Sequence, residues 1–372
     1  MAHVAKLTGG GVEGGRLKVA VLGATGMVGQ QFIRVLKDHP WFEVVALAAS
    51  ASSAGKSFGE AVGGRWAMEF GVPEEFEGVR VEDVRAVDEI AARVDVAFCA
   101  LSLDKEGIRR LEDAYARAGL WLTSNNSANR EDPLVPVVIP AVNPEHLDVI
   151  PHQRAARGYE TGAILVKSNC SIQSYVIALE PLREFGVERI RVHSEQAVSG
   201  AGKTLGAWPE MRGNVIPLIE GEERKSETEP LKVWGEAGAD GIRPAREPAI
   251  KAKCVRVAVA DGHTAYVAVK FRTAPTRAQI LERWERHARS SELPSAPRRL
   301  IHYREEPDRP QPRLDVMTEG GMAVTVGQLE TDEAEGHVTF TALAHNAILG
   351  AAGGAVWATE AAVARGLVYR RA

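Results

Sequence analysis

The chain has 372 residues, 45% of them hydrophobic and 25% charged, with a formal net charge of −4. That length fits two domains of ordinary size, and the absence of a basic stripe argues against a nucleic-acid partner. No apolar run approaches the ~20 residues of a membrane span, and the three cysteines form neither a disulfide framework nor a metal-binding spacing.

Residues 1–16 are glycine-rich and polar and read as a flexible tail without a secretory signal pattern. Residues 17–22 (Leu-Lys-Val-Ala-Val-Leu) are a short β-rich run. Gly23-Ala24-Thr25-Gly26-Met27-Val28-Gly29 follows at once, and Phe32, Ile33, Val35 and Leu36 then recur at helical spacing. Further buried strands are expected at 42–49, 94–101, 120–123 and 137–139, with a helix over 105–118. Strand alternating with helix predicts an α/β, doubly wound parallel sheet of the Rossmann type.

Residues 163–166 read as another buried strand, and helical spacing resumes through Tyr175, Ile177, Ala178, Leu179 and Leu182. Cys170 lies at the seam, in Ser168-Asn169-Cys170-Ser171. The first amides and dipole of a helix favour a thiolate there, lowering a free-thiol pKa of about 8.5 toward the ~3.5–7.5 range of reactive cysteines. A buried structural cysteine is the plain alternative. Cys99 and Cys254, each in an expected strand, are read that way, kept reduced in the cytoplasm.

Beyond Cys170 the strands lengthen and alternate, at 187–198, 254–259, 264–271 and 336–344, with helices at 227–237 and 276–290. The pattern predicts an α+β domain with a mostly antiparallel sheet. Asp261-Gly262 reads as a hairpin turn. Residues 294–297 and 307–312 are proline-rich loops, and 346–365 is a closely packed helix rich in alanine and glycine.

Three glycines at Gly23, Gly26 and Gly29, directly after a strand, allow a tight turn and close approach of backbone to a pyrophosphate. After the second strand come Ser50, Ser52, Ser53 and Lys56 but no acid to hold ribose hydroxyls. That set suits a 2′-phosphate and favours NADP(H) over NAD. A nicotinamide cofactor and an activated cysteine fit one chemistry: an acyl group passes through a thioester and is exchanged with an aldehyde by hydride transfer. His263, at a turn between strands, is the candidate acid/base. Arg256, inside an apolar strand, needs an anion, either a substrate carboxylate or a structural partner. Gln196 ends a strand before a glycine-bearing loop that holds Ser199 and Gly200, and either steers a substrate or caps the strand. The charged run 222–230 reads as a solvated face. Asn125 and Arg130 lie at the carboxyl edge of the sheet, where doubly wound folds bind ligands.

Taken in order, these motifs resemble the aspartate-β-semialdehyde dehydrogenase family, in its archaeal and fungal branch, over roughly 17–366. The resemblance implies a cofactor turn at Gly23, Thr25, Gly26, Met27, Val28 and Gly29, with Ser50, Ser53, Ser199, Gly200 and Asn346 also at the cofactor. It implies a nucleophile at Cys170, an acid/base at His263, and Asn169 and Gln196 as further catalytic groups, Asn169 beside the oxyanion. It places Asn125, Arg130 and Lys225 at the phosphate, Glu223 at the substrate amino group and Arg256 at its α-carboxylate. The implied reaction is NADPH-dependent reduction of L-aspartyl-4-phosphate with release of inorganic phosphate, in a cytoplasmic homodimer or homotetramer. The implied division is a cofactor unit over 17–168 and 346–372 and a catalytic and dimerisation unit over 169–345. A malonyl-CoA or succinyl-CoA reductase would use the same thioester, but its substrate has no amino group for an acid such as Glu223. A non-catalytic NADP-binding sensor would not need both Cys170 and His263. Three places depart from the branch: Leu101-Ser102-Leu103 replaces a Leu-Pro-Ser-like turn in the cofactor domain, Asn129 replaces an aromatic beside Arg130, and Ser52 replaces an arginine.

Overall fold

A computed structural model describes residues 2–8, 11–287 and 292–371. The first sheet has six strands, β1 (Leu17–Leu22), β2 (Phe42–Ala49), β3 (Glu82–Asp83), β4 (Val96–Cys99), β5 (Trp121–Ser124) and β6 (Ala163–Val166). They are all parallel, in the order β3-β2-β1-β4-β5-β6. The order reverses beside β1, and the crevice there is the natural ligand site of such a sheet. β4, β5 and β6 are buried at every position, as continuous apolar runs are when helices cover both faces. Helices α1 (Met27–Leu36) and α2 (Lys105–Arg117) follow β1 and β4.

The expected strand at 137–139 does not form. Val137 makes one isolated bridge to Val166, and the Asn143 side chain takes up the Ile139 amide and the Val137 carbonyl locally. The expected flexible tail is also corrected: His3–Val4 pairs with Tyr369–Arg370, and Ala5 and Val12 are buried. Its partner strand lies at the far end of the chain, where local composition gives no sign of it. Residues 1, 9 and 10 of that stretch lie outside the described residues.

The second sheet has seven strands, β7 (Val187–Gln196), β8 (Val215–Ile216), β9 (Ala249–Val257), β10 (His263–Phe271), β11 (Ile301–Arg304), β12 (Val324–Asp332) and β13 (His337–Ala344), in the order β8-β9-β7-β10-β13-β12-β11. Four pairings are antiparallel and two, β7 with β9 and β11 with β12, are parallel. β12 went unread because its register shifts after Gly327, with Gln328 at φ 51°, and the bulge breaks the alternation. Asp261-Gly262 is not a hairpin: β7 lies between β9 and β10, parallel to one and antiparallel to the other. Helices α3 (Gln173–Leu179), α4 (Glu222–Val233) and α5 (Arg277–His287) belong to this half; residues 288–290 of the last expected helix lie outside the described residues. α6 (Gly353–Ala364), preceded by a wide π-turn at Ile348–Ala352, is buried on every side and packs back against α1 and β5. A helix apolar all round has no solvent face to offer.

Candidate active site

Cys170 opens a tight turn, Cys170–Ile172, that runs into α3. Asn169 caps it, its Oδ1 accepting from the Ser171 amide at 2.7 Å. His263 is the first residue of β10, and its Nε2 lies 3.4 Å from Cys170 Sγ. Strand register brings the other groups to the same place. Gln196 on β7 is the partner of both Arg256 on β9 and His263 on β10, so the three form one row across adjacent strands. Inserting β7 between the strands around Asp261-Gly262 creates that row. Gly200 lies over it: a Cβ there would come within 2.8 Å of Arg256 Nη1 and 3.0 Å of His263 Nε2.

The Ala197 amide donates to His263 Nδ1 at 3.1 Å. That bond assigns the neutral ring proton to Nε2, facing sulfur. Burial, then the Arg256 charge, hold His263 down at about 3. Cys170 reverses the expectation of a lowered thiol. Burial and, after it, the Glu222 charge push it up to about 11 against the opposing charges of Arg130, Lys167 and Arg256. The pair is therefore a neutral thiol and a neutral imidazole until charge in the pocket is rebalanced.

α4 starts at residue 222, and the charged run expected to be solvated carries site residues. Glu222 is buried, accepting from Asn169 Nδ2 at 2.9 Å, Gln196 Nε2 at 3.3 Å and Lys225 Nζ at 3.1 Å. Glu223 points elsewhere: it pairs with Lys253 at 3.0 Å on the exposed side of the helix. The structure thus brings Glu222, not Glu223, to the site. Glu222, Ser226, Glu229 and Val233 share the buried face, a spacing legible in the sequence. Asn169 commits its Oδ1 to capping and one Nδ2 hydrogen to Glu222, which leaves its second Nδ2 hydrogen as a donor for an oxyanion.

Arg130 is buried and bonded to Glu229 at 2.9 Å and to the Asn125 carbonyl at 2.9 Å. Yet Arg130 Nε and Asn125 Nδ2 are buried donors without a partner among the described residues. Two such donors on one loop suit an anion. The loop itself is clamped: Lys232 Nζ donates to the carbonyls of Arg130, Asp132 and Val135, and Asn129 Nδ2 donates to the buried Glu112 at 2.7 Å. Asn129, the departure from an aromatic, is a partner of that acid.

At the other end, Gly23 has φ 90°, and a Cβ there would lie 2.4 Å from the Ala100 carbonyl oxygen. A Cβ on Gly29 would lie 2.2 Å from the Gly23 oxygen. Gly26 caps α1 with no side-chain bond, and the first turn, with Met27 and Val28, holds no acid. The Thr25 carbonyl accepts from Gln30 Nε2 at 3.2 Å, fixing the turn. Open amides at the start of a ten-residue helix fit a pyrophosphate. Ser50 and Ser52 bond to each other at 3.0 Å beyond β2, and Ser53 is buried. Asn346 joins the halves, donating to Ser199 Oγ and accepting from the Gly262 amide, both at 2.9 Å.

Two family models match the chain: semialdehyde dehydrogenase, NAD binding domain, over residues 18–150, and semialdehyde dehydrogenase, dimerisation domain, over residues 179–349. The aspartate-semialdehyde dehydrogenase of Aspergillus fumigatus is 40% identical over 363 residues, covering 94% of this chain and 98% of that protein. That of Archaeoglobus fulgidus is 41% identical over 347 residues, covering 93% and 97%. The crystal structure of aspartate semialdehyde dehydrogenase with NADP from Candida albicans matches with a TM-score of 0.81 at 34% identity, over 95% of this chain and 100% of that one.

Proposed function

Because the chain belongs to the aspartate-semialdehyde dehydrogenase family, we propose that it reduces L-aspartyl-4-phosphate with NADPH to aspartate 4-semialdehyde and inorganic phosphate. The observation that carries this reading is the 3.4 Å contact of Cys170 Sγ with His263 Nε2 between a dinucleotide turn and an anion pocket.

Arg130 and Asn125 offer their unpartnered donors to the phosphate, and Lys225, paired with Glu222 at 3.1 Å, is assigned to the same group. Arg256 faces the α-carboxylate. Glu222 takes the α-ammonium, the role first given to Glu223. That contact balances the acid that opposes ionisation of Cys170. Sulfur then attacks the acyl carbon as the thiolate, its proton passing to the departing phosphate, which leaves with the electron pair as the bond to its oxygen breaks. NADPH, held by the glycine turn, Ser50, Ser53, Ser199, Gly200 and Asn346, supplies the hydride when bound. The Nε2–H of His263 and the backbone amide of Cys170 hydrogen-bond the developing oxyanion, and collapse of that oxyanion to the carbonyl breaks the C–S bond and returns the thiolate.

We assign residues 17–168 and 346–372 to the cofactor unit and 169–345 to the catalytic unit. The outer face of the second sheet, with Arg189, Arg191, His193 and Tyr266 exposed, is assigned to a homodimer contact, and the three free cysteines suit the cytoplasm. Purified protein given aspartate semialdehyde, phosphate and NADP should form NADPH, and should not oxidise NADPH with malonyl-CoA or succinyl-CoA. Turnover with an acyl-CoA alone would overturn the reading, because those donors carry no ammonium for Glu222.

A further inference from the structure

The loop after β2, residues 50–56, carries three serines and no acid. It is one compact turn: the amides of Ser53 and Ala54 both return to the Ser50 carbonyl, at 2.9 and 3.1 Å, and the Lys56 amide returns to the Ser53 carbonyl at 3.4 Å. The chain then pairs with residues 79–81. The Gly55 amide donates to the Val81 carbonyl at 2.8 Å, the Val81 amide donates to the Lys56 carbonyl at 2.9 Å, and Ser57 is the antiparallel bridge partner of Arg80.

That pairing brings the Arg80 side chain to the serine turn. A Cβ on Gly55 would stand 3.7 Å from Arg80 Nη2. Among the described residues the Arg80 guanidinium has no hydrogen bond and no ion pair, so its five donors are uncommitted. The neighbouring acids are placed elsewhere. Glu82 pairs with Arg93, and Asp83, in register with Ala49 at the end of β2, pairs with Arg85 at 2.6 Å. Glu60 accepts from the Ser57 amide at 3.0 Å, and Glu77 packs beside Gly59. Lys56, the cation of the turn itself, acts on Glu60. In a doubly wound fold an acid after the second strand holds the ribose hydroxyls of NAD, while an arginine nearby accommodates the 2′-phosphate of NADP. Ser52 leaves the turn without an arginine of its own.

We propose that Arg80 determines the preference for NADP over NAD: its unpaired guanidinium, brought to the serine turn at Gly55 by the neighbouring strand, receives the ribose 2′-phosphate in place of an arginine at position 52. The proposal rests on the assignment of the ribose to Ser50 and Ser53. The turn then supplies short hydroxyl donors, and the adjacent strand supplies the charge. A guanidinium suits the task, because its planar fork meets two oxygens of a phosphate at once. Gly55, at φ 86°, has no side chain to stand between the fork and the turn. The cation is exposed, so its pull on the cofactor weakens with salt.

The test is equilibrium binding of NADP and of NAD to the full-length protein, measured by titration calorimetry at low salt. Arg80→Met should raise the Kd for NADP at least about tenfold, the loss of one charge-assisted contact, and leave the Kd for NAD where it was. Lys56→Met should cost NADP less. Adding Ser52→Arg to Arg80→Met should recover binding of NADP and not of NAD. An unchanged NADP Kd in Arg80→Met overturns the proposal, as does a larger loss in Lys56→Met. Equal losses for NADP and NAD also overturn it, because they report a disturbed turn and not a missing phosphate contact. Failure of the underlying assignment would show separately: the unaltered chain would bind NAD as tightly as NADP.

Discussion

The Asn169 side chain donates from Nδ2 to Glu222 Oε1 at 2.9 Å while its Oδ1 caps the turn that presents Cys170. One side chain thus ties the nucleophile's turn to the acid proposed for the substrate ammonium. Glu222→Gln removes the charge but keeps the shape. It should raise the KM for aspartate semialdehyde about ten- to a hundredfold, the loss expected for one charge-assisted contact. It should also lower the Cys170 thiol, since Glu222 now opposes its ionisation. Glu223→Gln, which loses a surface pair with Lys253, should leave steady-state kinetics near those of the unaltered chain. The reverse order of effects would return the amino-group role to Glu223.

Gly200 is required by proximity and not by backbone conformation. A methyl group there reaches 2.8 Å from Arg256 Nη1 and 2.9 Å from His263 Cε1. Gly200→Ala should push the imidazole off its line to sulfur and lower kcat about a hundredfold, with thermal stability little changed because the loop is at the surface of the cleft. Unchanged kcat would mean that the Cys170–His263 contact does not set the rate.

Arg130→Lys keeps a positive charge and loses the planar fork that meets Glu229 and the Asn125 carbonyl. The KM for phosphate in the oxidative direction should rise at least about tenfold, while NADP affinity holds. Equal loss of phosphate and NADP affinity would show collapse of the loop and not loss of an anion contact.

Folded His263 titrates at about 3, against 6.5 for an ordinary imidazole. Between those values the unfolded chain binds a proton at this position and the folded chain does not. Stability therefore rises with pH across that window, and is lost as pH falls from 6.5 toward 3. His345, drawn down to about 4 by burial, adds to the same slope. Denaturant titrations from pH 4 to 7 should give a shallower acid limb for His263→Gln than for the unaltered chain. Parallel limbs would contradict the buried, neutral imidazole.

The parts of the fold legible in sequence were those written locally. The cofactor turn is strand, glycines and helix within thirteen residues of chain (17–29), and Cys170 sits at a similar seam, so both were found. The cross-strand row of Arg256, Gln196 and His263 was hidden, because Asp261-Gly262 looks like a hairpin and β7 enters from far upstream. Glu222 and Glu223 lie one residue apart, about 100° around a helix axis, and of the two it is Glu222 that turns into the buried face. The spacing to Ser226 and Glu229 held the answer, but a charged run does not announce a buried face. Lys167 reads as the polar end of a strand; its burial is made by Gly354, from the other end of the chain.

Mass spectrometry of the denatured protein after mixing with L-aspartyl-4-phosphate in the absence of NADPH tests the central chemistry most directly. A single aspartyl adduct should appear, map to Cys170, be released by hydroxylamine and vanish in Cys170→Ala. An adduct on another residue, or full turnover by Cys170→Ala, would contradict it.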